Sequence, residues 1–93
     1  MVIMPFELLY HDEVKTDKAK LDEKMKERVK TALETRLTTA PHQYGEPLRK
    51  NLKGYWKLRV GDYRIVFKIE KEEVWIFGII HRKEVYKEIT KRL

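Results

Sequence analysis

The chain has 93 residues, 39% of them charged, a formal net charge of +6 and no cysteine. That length suits one domain with a small core, and the lack of cysteine excludes disulfides and thiolate metal sites while fitting a reducing cytoplasm. Met1-Val2-Ile3-Met4-Pro5-Phe6-Glu7 at the start holds neither a basic segment nor an apolar run of the length that a signal peptide or a membrane span needs.

Residues 5–11 alternate in part and predict a first strand. Asp12 to Ala19 predicts a short helix with Asp12 as its N-cap. A second helix is expected from Asp22, because Leu21, Met25, Val29, Leu33 and Leu37 recur every four residues and Ala32 widens the stripe. A small domain uses such a stripe to cover its sheet. The helix stops before Pro41, and Thr39–Pro47, with Pro41, Gly45 and Pro47, reads as a loop. Three strands follow in meander order, at about Gly54–Val60, Tyr63–Glu70 and Glu73–His81. A last helix is expected over about Lys83–Leu93, with Val85, Ile89 and Leu93 spaced by four. The expectation is one α+β domain over residues 1–93, in the order β-α-α-β-β-β-α, with two helices packed on one face of an antiparallel sheet.

The hairpin carries the functional signal. Gly61-Asp62 between alternating residues predicts a tight II′ turn with glycine first. Folding there sets Val60 opposite Tyr63, Arg59 opposite Arg64, Leu58 opposite Ile65 and Trp56 opposite Phe67. Trp56, Leu58, Val60, Tyr63, Ile65 and Phe67 then share one face, and Lys57, Arg59, Arg64 and Lys68 the other. A turn at Lys71-Glu72 would set Phe67 opposite Ile76 and Arg64 opposite Ile79. Val74, Ile76 and Ile80 would join the core face; Trp75, Phe77, Ile79 and His81 would join the cationic one. Like charges directly across a sheet repel, so Arg59 facing Arg64 marks a surface for a polyanion. The charge distribution agrees: residues 1–46 hold 8 Lys/Arg against 9 Asp/Glu, residues 47–93 hold 13 against 6.

Glu46-Pro47-Leu48, Asn51-Leu52, Gly54-Tyr55-Trp56, Arg59 and Arg64-Ile65-Val66-Phe67 resemble the YoeB branch of the RelE/ParE superfamily of toxin–antitoxin toxins. The closing run Gly78-Ile79-Ile80-His81-Arg82-Lys83-Glu84-Val85-Tyr86 is similar to the wider superfamily. The resemblance covers essentially the whole chain and is strongest from Glu46 to Tyr86. It implies a small cytoplasmic toxin, silenced by a cognate antitoxin. RelE- and YoeB-like members cut mRNA in the ribosomal A site without a metal or other cofactor, so mRNA and the ribosome are implied partners. No membrane is implied, and DNA is reached only through the antitoxin complex. ParE-like members poison DNA gyrase on a similar fold. Such an inhibitor, and a catalytically degenerate toxin acting with its antitoxin as a co-repressor, stay open beside the endoribonuclease, because fold does not fix function.

RNA cleavage by the 2′-hydroxyl needs a base, cations for the dianionic phosphorane and an acid for the leaving 5′-oxygen. The resemblance puts Glu46 in the place of the base and Arg64 in that of the main electrostatic stabiliser. A guanidinium suits that work, being always charged and shaped as a planar fork for phosphate. Lys57 and Arg59 match cationic positions of the preceding strand. His81 is an acid or base candidate, and Arg82 and Tyr86, four apart and expected on one face of the last helix, match RNA-contacting positions. Lys50, Lys53, Lys68 and Lys83 are expected to bind phosphates without reading sequence. Trp75 and Phe77 offer stacking surface or are covered by the last helix. The sequence shows no Gly-rich phosphate loop, no metal-ligand cluster and no nucleophile–histidine pairing.

Overall fold

Alternating residues in the second half of the chain build the sheet, and the four-residue stripe of the first half covers it. The computed structural model describes residues 6–49 and 52–93. Its elements are β1 (Glu7–Tyr10), α1 (Val14–Ala19), α2 (Glu23–Ala32), α3 (Pro41–Tyr44), β2 (Glu46–Pro47), β3 (Tyr55–Val60), β4 (Tyr63–Glu70), β5 (Glu73–His81) and α4 (Val85–Arg92). The five strands form one sheet in the order β1-β5-β4-β3-β2. The α+β class and the order of the main elements agree with the sequence reading. Among the described residues no helix is long and apolar enough to cross a membrane.

Helix α2 starts where the sequence places it: Asp22 Oδ1 accepts the Met25 N–H at 2.8 Å. It continues into a wider π-helical turn at Leu33–Leu37. A four-residue step overshoots one α-helical turn by about 40°, so the stripe drifts around the helix. The wider turn rotates less per residue and brings Leu37 back onto the sheet. Leu21, Val29, Ala32, Leu33 and Leu37 are all buried there, with Met25 packed beside them. Helix α1 differs from expectation at its start. Asp12 does not cap it; Glu13 holds the cap position, and its own N–H donates to His11 Nδ1 at 3.2 Å.

The β3–β4 register is the predicted one, with Val60, Arg59, Leu58 and Trp56 opposite Tyr63, Arg64, Ile65 and Phe67. Gly61 opens the turn at φ +61°, and a Cβ there would meet Arg28 Nη1 and Met25 Cε at 2.9 Å. The positive φ of the turn is what favours glycine, since the Arg28 and Met25 side-chain ends can move aside. Two features differ from the sequence reading. The sheet is mixed, because β1 runs parallel to β5, with Leu8 beside Val74. The stretch read as a loop, Thr39–Pro47, contains α3 and the short strand β2.

Strand β5 changes phase halfway. Phe67 pairs with Ile76, but Val66 pairs with Gly78, which leaves Phe77 as the extra residue of a bulge. Arg64 consequently faces Ile80 rather than Ile79, and His81 faces Tyr63. Ile79 joins the core under α1 and α2, while Ile80 joins the second core with Val66, Val85 and Ile89 under α4. The two isoleucines thus exchange the faces that simple alternation assigns.

Beyond Ile76, β1 no longer covers the edge of β5, and an ion pair takes its place. The Ile79 N–H donates to Asp17 Oδ2 at 3.0 Å, and the Phe77 carbonyl accepts Arg92 Nη1 at 2.9 Å. Arg92 grips Asp17 with both fork nitrogens, at 2.7 and 2.8 Å. Both side chains are only 6% exposed. The guanidinium lies over Gly78, where a Cβ would stand 2.7 Å from Nη1. The carboxylate holds the Arg92 cation above its ordinary pKa, chiefly through that hydrogen bond.

Gly45 positions the segment that leads into β2. A Cβ there would lie 2.6 Å from Cζ of Phe67, which is fully buried. Gly45→Ala is expected to lower stability by about 1–3 kcal/mol through overpacking. Urea unfolding monitored by tryptophan fluorescence measures that cost.

Candidate functional site

The three strands at one end of the sheet bring four charged side chains to one face. Glu46 on β2 stands directly across from Lys57 on β3, and Arg59 on β3 stands across from Arg64 on β4. Lys57 and Arg59 are two apart and so share that face. Together with Arg36 and Tyr44 they line a cavity of about 330 Å³. The first four were predicted from sequence to serve one site. Sequence reasoning misses Arg36 and Tyr44, because one is an ordinary charge on a helix and the other lies in a Pro/Gly-rich stretch that reads as a loop. The only sequence signal for Tyr44 was an aromatic two residues before Glu46 in a Pro/Gly-rich stretch.

Arg64 is fixed before any ligand arrives. Its Nη1 donates to the carbonyls of Tyr63 at 2.9 Å and Gly61 at 3.1 Å. Its pKa is lowered, first by partial burial and then by Arg59 and Arg82; Asp62 and Glu46 oppose this in part.

The other predicted residues are distributed more widely. His81 was expected on the cationic face. The bulge turns it to the Tyr63 side, where the two rings meet edge to face at 5.5 Å. Its Nδ1 accepts the Lys83 N–H at 3.3 Å, and it lines a separate cavity with Asp17 and Arg92. Arg82 lies in the turn before α4, so it does not share a helical face with Tyr86. It stands beside the hairpin turn instead, with its N–H on the Asp62 carbonyl at 2.8 Å and Nε 3.7 Å from Asp62 Oδ1. Tyr86 packs on the second core, and its hydroxyl accepts the Arg49 N–H at 3.2 Å.

Among the lysines, Lys68 pairs with Glu70 at 3.2 Å and sits 5.6 Å from the Tyr55 ring centroid. Lys53 and Lys83 are exposed, and Lys50 lies outside the described residues. Phe77 is partly buried, packing on the second core with the Tyr55 ring 5.3 Å away. Trp75 is half-buried and donates from Nε1 to Glu73 at 3.2 Å.

A family model described as the ParE toxin of the type II toxin–antitoxin system, parDE, matches residues 8–86, a span that includes the whole cationic face. The chain belongs to this family. Two curated toxins from Mycobacterium tuberculosis also match part of the chain. Toxin RelG is 36% identical over 53 residues, 55% of this chain and 61% of that protein. Toxin RelE is 40% identical over 53 residues, 55% of each chain. The match thus spans little more than half the length of these curated relatives. Among solved structures, the toxin–antitoxin complex RelBE2 from the same organism superposes with a TM-score of 0.77 at 28% identity. That superposition covers 84% of this chain and 99% of the other.

Proposed function

We propose that this family member is the toxin of a toxin–antitoxin module and that it cleaves mRNA on the ribosome, in the cytoplasm. The observation that carries the reading is the pairing of Glu46 with Lys57 beside the Arg59–Arg64 pair. One carboxylate and these three cations, with Arg36 beside them, line a single cavity. Glu46 takes the proton of the 2′-hydroxyl, and the resulting oxyanion attacks the adjacent phosphorus. Arg64, Arg59 and Lys57 stabilise the charge that builds on the phosphorane oxygens. Arg64 needs little reorganisation, because the turn carbonyls already orient it. Tyr86 delivers the proton to the leaving 5′-oxygen, since its place on α4 is on the Val66 side of the sheet, as is Arg64, whereas His81 faces the other way. The antitoxin partner is supported by RelBE2, which is a toxin–antitoxin complex.

The test is a translation reaction with purified ribosomes and a defined mRNA, with new 5′ ends mapped after the protein is added. Cuts confined to A-site codons are expected. Glu46→Gln, which keeps shape but loses the base, should slow them by about 10²–10⁴-fold. A folded protein that yields no cuts would overturn the reading. The family's ParE description favours a second one, a ParE-like gyrase inhibitor. Inhibition by binding needs no base, so Glu46→Gln would then leave supercoiling inhibition at the wild-type level.

A further inference from the structure

The cavity at Glu46 does not end at the reacting groups. Arg36 and Arg59 also line a second cavity, of about 310 Å³, between α2 and β3, together with Arg28, Thr31 and Glu27. The two cavities share this arginine pair in their linings, so together they make one run of basic side chains along the surface. At its Glu46 end stands Tyr44, an aromatic side chain 51% exposed. The Arg36 guanidinium lies 5.7 Å from its ring centroid and holds it in place. Two local features create this arrangement. The π-helical turn at Leu33–Leu37 presents Arg36, and α3 presents Tyr44 two residues ahead of Glu46.

Exposed aromatics beside phosphate-binding cations are the two components of a single-strand binding track: bases stack on the rings and the backbone follows the charge. Resting on the reading of the site as a ribonuclease, we propose that Tyr44 is the stacking platform for the nucleobase next to the scissile phosphate. Arg36 and Arg28 receive the phosphates that follow along the second cavity. The substrate is thereby a single strand held over at least two nucleotides, entering or leaving between α2 and β3. Tyr44 touches the base and fixes the register of the scissile bond over Glu46; it carries no proton in the reaction.

The experiment is single-turnover mRNA cleavage on programmed ribosomes at increasing protein concentration, comparing wild type with Tyr44→Leu, Tyr44→Phe and Arg36→Ala. Arg64→Ala serves as the reference for a lost active site, and circular dichroism confirms that each variant is folded. Tyr44→Leu should raise the half-saturating concentration roughly tenfold, while Tyr44→Phe stays near wild type, because stacking needs the ring and not the hydroxyl. Arg36→Ala should weaken binding and make it less salt-dependent. If wild type cuts and Arg64→Ala does not, but Tyr44→Leu behaves as wild type, the stacking subsite is wrong and the ribonuclease reading stands. If wild type makes no cuts at all, both fall together.

Discussion

Arg64→Ala is expected to reduce mRNA cleavage by about 10²–10³-fold while leaving the melting temperature unchanged or slightly raised. The two halves of that result have one cause. Arg64 is partly buried and faces Arg59 across the strand pair, with Arg82 nearby, so its charge is disfavoured in the unliganded protein. Removing it relieves repulsion and forfeits only the two hydrogen bonds to the turn carbonyls. On the proposed ribonuclease reading, the same charge would meet the developing phosphorane in the transition state and stabilise it. Arg64→Lys is expected to recover only part of the rate, since an ammonium lacks the planar fork that engages two phosphate oxygens. Cleavage rates on programmed ribosomes, set beside thermal melts of the same samples, measure both halves. A variant that loses activity and stability together would mean that Arg64 is a structural residue.

Asp17→Ala is expected to destabilise the fold by about 3–5 kcal/mol, a large share of the total for a domain of this size. The carboxylate and the Arg92 guanidinium are nearly excluded from water, and each also satisfies a backbone group of β5. Truncating Asp17 leaves the Ile79 N–H without its acceptor and Arg92 without its main partner. Glu13 Oε2, 3.0 Å from Arg92 Nε, keeps an electrostatic hold on the cation but makes no aligned hydrogen bond, so it compensates only in part. Arg92→Ala should cost a similar amount. The double variant should cost clearly less than the two single changes added, because no orphaned charge remains. Urea denaturation of the three variants closes that cycle; simple additivity would show that the pair acts only as separate packing.

The parts of the fold that the sequence made legible are those set by local chemistry. The register of β3 on β4 follows from Gly61-Asp62 and strict alternation, and it placed Lys57, Arg59 and Arg64 together. Asp22 marked the start of α2, and the stripe from Leu21 to Leu37 marked its buried side. What was not legible depends on partners far along the chain. The parallel pairing of β1 with β5, and the Asp17–Arg92 bridge, join residues more than 60 positions apart, and no periodicity signals them. The bulge in β5 had one sequence cue, Gly78 within a strand pattern. Reading past it turned His81 to the wrong side and exchanged Ile79 with Ile80. Arg36 and Tyr44 carry no signal of their own, because an exposed charge and a loop aromatic are ordinary until a cavity brings them beside Glu46.

The bridge between Asp17 and Arg92 also sets an order of assembly during synthesis. Chains emerge from the ribosome N-terminal end first and begin folding as they do so. Helix α1, with Asp17, is available early, and β5 follows once the β3–β4 hairpin is out. The edge of β5 past Ile76 then waits for Arg92, the last residue of α4. Until it arrives, the Phe77 carbonyl and the Asp17 carboxylate lack their cation, and the edge is open to pairing with another chain. A released copy truncated before residue 92 would carry this unsealed edge and would be the more exposed to aggregation or to chaperone capture.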